Sequence, residues 1–410
     1  MAGTTLSYFD AALKIDYLPV IREQLNNDTY LLTKIKRNER DVSGKQWQMT
    51  SHYKRNSGVG AGSETGLPTA GYQSYANPYG VVKYNRGRIQ VTGPVMAASR
   101  DDKGAIVRAL ESEIKGVTDD LKHDINFQLH NDGTAVRALV NGDPGTDATI
   151  TVDNPGTRYL YEGLPIEMVT AATGVLSTSG VVTTDTVSTI TDSVNFEMSS
   201  TADANIADND WIIRTGSRIV TNTDLITNAS YEMMGLKGII DDATYVTTLH
   251  NLSRSSYSWW KCATYSTDDN SGTLRDLTLD LMQDAVSAVE MEGGKIDLIL
   301  CDYAVRDAYA SIVVADKRYV NTMQLDGGFT GLDFNGIPVV ADPMMATNTM
   351  FFIDTSHLQL MQMGDWNWMD RDGAVLSRVA DSDAYEAVLY WYADLVTDKP
   401  KAHTFLRDVQ

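Results

Sequence analysis

Four kinds of segment follow one another in this chain, and no single compact domain would need all of them. A charged, weakly apolar arm (Met1–Gln46) comes first, then a strand pair split by a loose Gly/Tyr-rich tip (Trp47–Val95). One long amphipathic helix is predicted over Asp102–Asn131, and β-rich and α/β bodies complete the chain. An arm and a long hairpin bury little of themselves, so neighbouring subunits usually order them. The first inference is a self-assembling protein.

Trp47–Tyr53 alternates bulky and polar residues, as a half-exposed strand does. The stretch Asn56–Gly80 holds Gly58, Gly60, Gly62, Gly66, Gly71 and Gly80 with Pro68 and Pro78, so no helix persists there. Val81–Tyr84 and Arg88–Val91 restore a strand pattern. A structureless loop of about 25 residues is uncommon inside a compact domain, and its usual reason is function. The bland alternative is a plain surface loop. Tyr72, Tyr75 and Tyr79 favour a contact surface, because tyrosine joins a large apolar face to a polar tip.

The helix has Ser99 as its candidate N-cap with Asp102 three residues on, and Asp132-Gly133 as its stop. Ile106, Leu110, Ile114, Val117, Leu121, Ile125 and Leu129 form one stripe. A run of about 28 residues would be about 42 Å long. Arg108, Glu111, Lys115, Asp119 and Lys122 read as its solvated face. Asp143–Gly216 then changes character, with 11 acidic residues against 2 basic ones and short apolar pieces between turn clusters. It reads as a small all-β insertion, with Gly163 and Gly174 as turn residues. Tyr257, Trp259, Trp260 and Tyr265 read as core or subunit contact rather than a base-stacking platform, since no Arg/aromatic alternation accompanies them. A second helix is predicted over Thr273–Glu292, capped by Thr273. Ile296–Cys301 is a buried strand, and Asp302 opens a helix carrying Val305, Tyr309 and Ile312. Ile337–Val340, Met350–Ile353, Ala387–Val396 and His403–Val409 are further strands. The fold class is α+β.

Charge sharpens the picture. Residues 1–100 carry 13 Lys/Arg against 7 Asp/Glu (net +6), whereas the whole chain is at −20. A basic front can track phosphates or dock on acidic sibling subunits. Without a dense Lys/Arg block, docking on siblings is the better reading, by complementarity. Arg37, Arg40, Lys54, Arg55, Arg86 and Arg88, with Tyr72, Tyr75 and Tyr79, are the candidate inter-subunit contacts. No apolar run approaches the roughly 18 residues that span a bilayer, and the first twenty residues lack a secretory pattern. Two cysteines make no disulfide framework, so a reducing cytosolic folding site is expected.

Catalytic chemistry finds no foothold. Gly58-Val-Gly60-Ala-Gly62 lacks the Gly-Lys-Ser/Thr ending of a phosphate loop. The six histidines are dispersed, and His123 and His130, two helical turns apart, read as surface histidines. Asp268–Gly272 and Asp365–Gly373 lack the alternating ligand register and closing Glu of a calcium loop, and read as Asp/Gly turns. No catalytic, cofactor or metal residues are assigned, and no cofactor is expected.

The order of parts resembles the major capsid proteins of tailed bacteriophages, with the Hong Kong 97-like shell fold shared with encapsulins. Gly235–Ile240 followed by Leu249–Arg254 and Trp259-Trp260, Phe334–Asp342 with Met350–Asp354, and Asp383–Glu386 through Trp391–Asp394 carry the likeness in detail. The resemblance implies an N-terminal arm (1–46), an extended E-loop hairpin (47–98), and a spine helix with the start of a peripheral domain (99–142). It further implies a β-rich insertion (143–217), a return to the peripheral domain (218–272), an α/β axial domain (273–380) and C-terminal strands of both domains (381–410). It implies a structural, non-enzymatic subunit that assembles with itself as hexamers and pentamers into an icosahedral shell. The shell would enclose DNA without sequence-specific contact and without a membrane. A separate scaffolding protein is expected, because Met1–Gln46 is too short to be a fused one; a portal and a decoration protein are further partners. The expected location is the virion capsid, assembled in the bacterial host cytoplasm. Some relatives crosslink a hairpin lysine, but no partner can be placed for Lys54 or Lys83, and that chemistry is not carried over. The alternatives are an encapsulin-like compartment, an α/β enzyme built on Thr273–Ile353, and a β-rich tail or adhesin protein, against which the long helix argues.

Overall fold

A computed structural model describes the chain over residues 30–39, 42–43, 46–62, 64, 66–93, 103–172, 175–200, 205–218, 230–315, 323–324, 330–370, 375–380 and 382–410. Arg40, the predicted cap Ser99, Gly174 and most of the arm lie outside these residues.

The long helix spans Lys103–His130. Ile114, Leu121, Ile125 and Leu129 are buried in the main core and Val117 packs at its edge, which is the stripe that three- and four-residue spacing demands. The helix stops where Gly133 takes φ 72° and Asp132 Oδ1 accepts from the Thr134 amide at 3.0 Å. Two readings of its polar residues change. Lys122 is only 5% exposed, because its ammonium turns back to Asp119 at 2.9 Å while the aliphatic stem packs. His130 is buried, its Nδ1 2.8 Å from the Asn126 carbonyl, because the last turn of the helix enters the core.

A six-stranded sheet lies against this helix. Ala384–Thr397 is its hub, flanked on one side by Lys83–Thr92 and on the other by Leu358–Gln362, Asn367–Trp368 and Ser377–Arg378 in succession along its length. The ladder with Lys83–Thr92 runs antiparallel from Lys83↔Ala393 to Thr92↔Ala384. Along it Asn85 and Ile89 point inward, while Tyr84, Arg86 and Arg88 point out. Gly87 allows the strand to touch the helix: a Cβ there would lie 2.6 Å from Val117 Cγ1. Trp391 faces the core, stacked on Trp366 at 4.7 Å with its indole N–H given to Gln362 at 3.1 Å. The described end of the arm also joins this body. Tyr30, Leu31, Leu32 and Ile35 are buried in the main core, and Lys36–Asn38 pairs in parallel with Gln359–Met361. This part of the arm is therefore ordered by its own chain, because it carries a local apolar patch within a segment that is weakly apolar on average.

The second sheet orders Val136–Leu139, Trp211–Arg214, Pro165–Ala172, Val175–Ile190, Asn195–Met198 and Thr149–Thr151. Its own core includes Ile150, Ile166, Met168, Phe196 and Ile212. Val136–Leu139, which precedes Asp143, joins this sheet by pairing with Trp211–Ile213. Gly163 is at φ 86°, as a turn residue.

The third sheet contains Thr330–Phe334, Ile337–Ala341, Leu298–Cys301, Met350–Ile353 and Thr404–Leu406, with Met323–Gln324 at its edge. Helices Leu279–Met291 and Tyr303–Ala315 cover it through Met282, Val286, Val305 and Tyr309. The first of these starts later than predicted: Thr278, not Thr273, is the cap, its side chain accepting from the Leu281 amide. The preceding residues bond to the C-terminus instead, Arg275 N–H to Asp408 O at 2.8 Å and Gln410 N–H to Arg275 O at 3.0 Å. Those bonds satisfy the same backbone groups that another helical turn would use. The chain leaves this sheet after Ile353, enters the first at Leu358, and returns for Thr404–Leu406. Strands of the stretch 273–380 are thus shared between two sheets.

The stretch 235–260 is fastened by one buried charged node. Asp241 Oδ2 accepts from the Ala243, Tyr245 and Val246 amides and from Arg254 Nη1 at 3.2 Å, while Arg407 Nη2 reaches Oδ1 at 3.1 Å. Arg254 spends its other donors on the Ile239, Val246 and Trp260 carbonyls. Both charges are fully covered, so removing one strands the other. Arg254→Ala is expected to lower unfolding stability by about 3–5 kcal/mol. Arg306→Ala, which breaks an exposed pair with Asp307 and a partly exposed contact over the Tyr303 ring, should cost under about 1 kcal/mol. Denaturant midpoints of the two variants check the contrast.

Candidate assembly surface

The hairpin is built from two short ladders. Gln46–Gln48 pairs antiparallel with Tyr79–Val81, and further out Ser51–Lys54 pairs with Ser74–Ala76. The Met49 amide bridges them by donating to the Pro78 carbonyl at 3.0 Å.

The inner ladder is anchored. Trp47, on the bulky side of a strand read as half-exposed, is fully buried. Its indole Nε1 donates to Asp394 Oδ2 at 3.0 Å, and its ring meets His250 edge-on at 4.8 Å. Gly80 lies opposite: a Cβ there would come within 2.6 Å of the indole ring. That close approach explains a glycine inside a strand, and it is the one sequence signal that could have exposed the anchor. The Tyr79 amide bonds the His250 carbonyl at 3.1 Å, and Asn251 Nδ2 bonds the Tyr79 carbonyl at 2.9 Å. Burial, with the Arg254 charge nearby, lowers the His250 pKa to about 3, so this ring is a neutral wedge. Midway out, Tyr53 stacks on Trp259 at 4.9 Å, nearly parallel, and meets Tyr257 edge-on. The aromatics 257–260 thus serve as core and as a rest for the hairpin.

Beyond Tyr53 the tip stands away from the body. Leu67 is 94% exposed, Val59 83%, Tyr72 73% and Tyr75 62%. Lys54 Nζ lies 5.5 Å from the Tyr72 ring centroid, and Arg55 is exposed. The tip is thus an exposed apolar patch on a fastened root.

The predicted contact residues divide. Lys54, Arg55, Tyr72 and Tyr75 gather on the outer hairpin, with Tyr79 at its inner end. Arg86 lies on the outer face of the first sheet, 5.6 Å from Tyr84 and 5.7 Å from Tyr392. Two basic residues expected to face acidic siblings have acids in their own chain: Arg37 pairs with Asp365 at 3.0 Å, and Arg88 with Glu386. The antiparallel register explains the second, since Glu386 sits diagonal to Arg88 on the same face. Sequence reasoning missed Trp47, Tyr53 and Asp394, whose partners are all distant in the chain.

Among the described residues no group of three His, Cys, Asp or Glu side chains could hold a metal, and no helix is long and apolar enough to cross a membrane. Cys262 and Cys301 are buried thiols, and burial pushes both upward, Cys301 to about 12. Asp268–Gly272 is the turn its composition predicts, Asp268 and Asp269 accepting from the Tyr265 and Ser271 amides. A shallow hollow lined by Met363, Asp365, Trp366, Asn367, Tyr390 and Tyr392 opens on the first sheet.

This mixed α/β arrangement is a phage capsid fold. The capsid asymmetric unit of cyanophage A-1(L) matches with a TM-score of 0.53 at 14% identity, covering 92% of this chain and 90% of that one. The holo-SrpI encapsulin complex of Synechococcus elongatus PCC 7942 gives 0.46 at 8% identity, with 95% of each chain covered. The satellite phage P4 procapsid gives 0.41 at 12% identity, covering 100% and 98%. No curated protein matches the sequence. The SU10 major capsid protein family matches residues 2–410, and the chain belongs to that family. It is a phage major capsid protein, a structural subunit of the virion shell.

Gly80→Val should force the Trp47 indole from its seat at a cost of about 1–3 kcal/mol. Hydrogen exchange checks this: the amides of 46–48 and 79–81 should exchange faster, while those of Leu298–Cys301 keep their protection.

Proposed function

We propose that the protein assembles as hexamers and pentamers into an icosahedral shell, with the outer hairpin laid over an adjacent subunit. The observation that carries this is the contrast along the hairpin: Trp47 is buried at its root, while Leu67, Val59, Tyr72 and Tyr75 are left bare at its tip. A rigid root with an uncovered apolar tip suits one sequence that must meet slightly different neighbours. In this reading 47–98 is the E-loop, 99–142 carries the spine helix, and 143–217 is a β-rich insertion. Residues 218–272 return to the peripheral domain, 273–380 form the axial domain, and 381–410 close both. Lys54 and Arg55 meet acids on the neighbouring copy, which supports complementarity between a basic front and an acidic remainder. Tyr79, Arg86 and Arg40 are proposed at the same interface. Arg37 and Arg88 act there only alongside their own-chain acids.

A separate scaffolding protein, a portal and a decoration protein are the further partners of this reading. Assembly takes place in the host cytoplasm, and the DNA is enclosed without sequence-specific contact. The role is structural and non-enzymatic.

Deleting residues 58–71 should leave soluble subunits that cannot close a stable shell, as seen by electron microscopy. Normal particles from that variant would contradict the hairpin's role. The double variant Tyr72→Ser/Tyr75→Ser should assemble only at higher protein concentration, by about tenfold if each ring contributes about 0.7 kcal/mol at its contact. Light scattering against concentration measures it.

A further inference from the structure

Where the hairpin root meets the long ladder, ionisable groups gather in the interior. Asp394 follows Ala393, the register partner of Lys83. Trp47 occupies its Oδ2, whereas Oδ1 has no hydrogen-bond partner among the described residues. Lys83 does not close on that carboxylate; its Nζ donates to the Ser230 carbonyl at 2.7 Å. Two residues further along, Glu232 is buried, with Oε1 3.9 Å from Arg137 Nη2 and Oε2 without a partner among the described residues. Arg137 is already engaged by Asp124 and lies 4.2 Å from the Phe127 ring centroid, and Arg214 reaches the same Asp124 at 3.2 Å. The groups acting on Asp394 are therefore Lys83, Trp47 and the Met234 and Leu395 amides. Those acting on Glu232 are Arg137, Asp124, Arg214 and Asp132, and Lys83 feels both carboxyls.

We propose that this layer is a proton-operated latch: Asp394 and Glu232 in their neutral forms keep the hairpin root and the segment 230–234 seated, and loss of their protons loosens both. A neutral carboxyl tolerates an unpartnered buried oxygen far better than a carboxylate does. Burial raises Asp394 to about 6 despite Lys83 and Trp47, and raises Glu232 well above the ordinary carboxylate range. Both values exceed those of the unfolded chain, so the stabilisation is complete below about pH 4 and is lost as pH rises, for Asp394 across the interval up to about 6. Lys83 offsets only part of the loss: its ammonium donates to the Ser230 carbonyl rather than to Asp394, and its attraction leaves Asp394 still raised. The latch concerns the subunit's own interior and does not depend on where the hairpin tip goes.

Native-state hydrogen exchange of the full-length chain at pH 5 and pH 7, corrected for intrinsic exchange, tests the proposal. Protection of the amides of 46–48 and 79–81 should fall about tenfold over that interval, the change expected when opening returns Asp394 to its ordinary pKa. Asp394→Asn keeps an acceptor for Trp47 and should remove that pH dependence. Glu232→Gln should flatten the response of 230–234 while leaving that of 46–48 in place. Equal protection at both pH values in the unaltered chain would overturn the proposal, as would an Asp394→Asn chain with the full dependence. The first of these readings needs no variant, so it stands even if a substitution prevents folding.

Discussion

The ladder between Lys83–Thr92 and Ala384–Ala393 is the interaction on which the rest of the structure depends. It joins the end of the hairpin to the last long strand of the chain, so neither can move without the other. Its inner face meets the long helix at the bare Gly87, and Ile89, Leu389 and Trp391 are buried in the core that the helix shares. Its far end places Asp394 where the Trp47 indole can reach it. Hairpin root, helix and C-terminal strand are thereby one packed assembly, from which the outer hairpin projects.

Covalent continuity alone would not give that packing. The second sheet is an excursion from the chain, and its return is fixed by polar contacts to the helix: Gln128 Oε1 accepts from the Met233 amide at 3.1 Å, and Lys237 pairs with Asp132 at 3.0 Å. The third sheet reaches the same helix through Asn126 and Asp342 at 3.1 Å. Each such buried polar contact contributes little net energy, but each is costly to leave half-made, so these joints fix geometry more than they add stability. Bodies held this way can repeat in a shell while a single projecting element adapts.

Much of this was legible in the sequence because it is periodic or local. The stripe Ile106–Leu129 gave the helix within a residue of its described ends, while strand patterning gave Val81–Tyr84 and Arg88–Val91 as two pieces of what is one strand, Lys83–Thr92, and Ala387–Val396 as most of Ala384–Thr397. The apolar run before Asp302 gave the buried strand Leu298–Cys301. What was not legible depends on partners far along the chain. That Trp47 is an anchor shows only when Asp394 and Gly80 are beside it. Thr273 looks like a helix cap until the C-terminus takes the Arg275 backbone. Arg37 and Arg88 have own-chain acids, Asp365 and Glu386, that sit too far along the sequence to be paired with them by spacing. Lys122 and His130 look solvated because charge was weighed without the surfaces that close over them. The exposure of the outer hairpin was legible for the opposite reason: among the described residues, Tyr72 and Tyr75 contact only their own hairpin, through Lys54 and His52, and stay exposed.

The central claim is that the outer hairpin completes its burial only on another copy of the chain. Hydroxyl-radical footprinting of Tyr72 and Tyr75, comparing free subunits with assembled particles, tests it most directly. The account predicts strong reactivity in the free subunit and clear protection in the particle, with Trp47 protected in both. Equal reactivity of the two tyrosines in subunit and particle would contradict it.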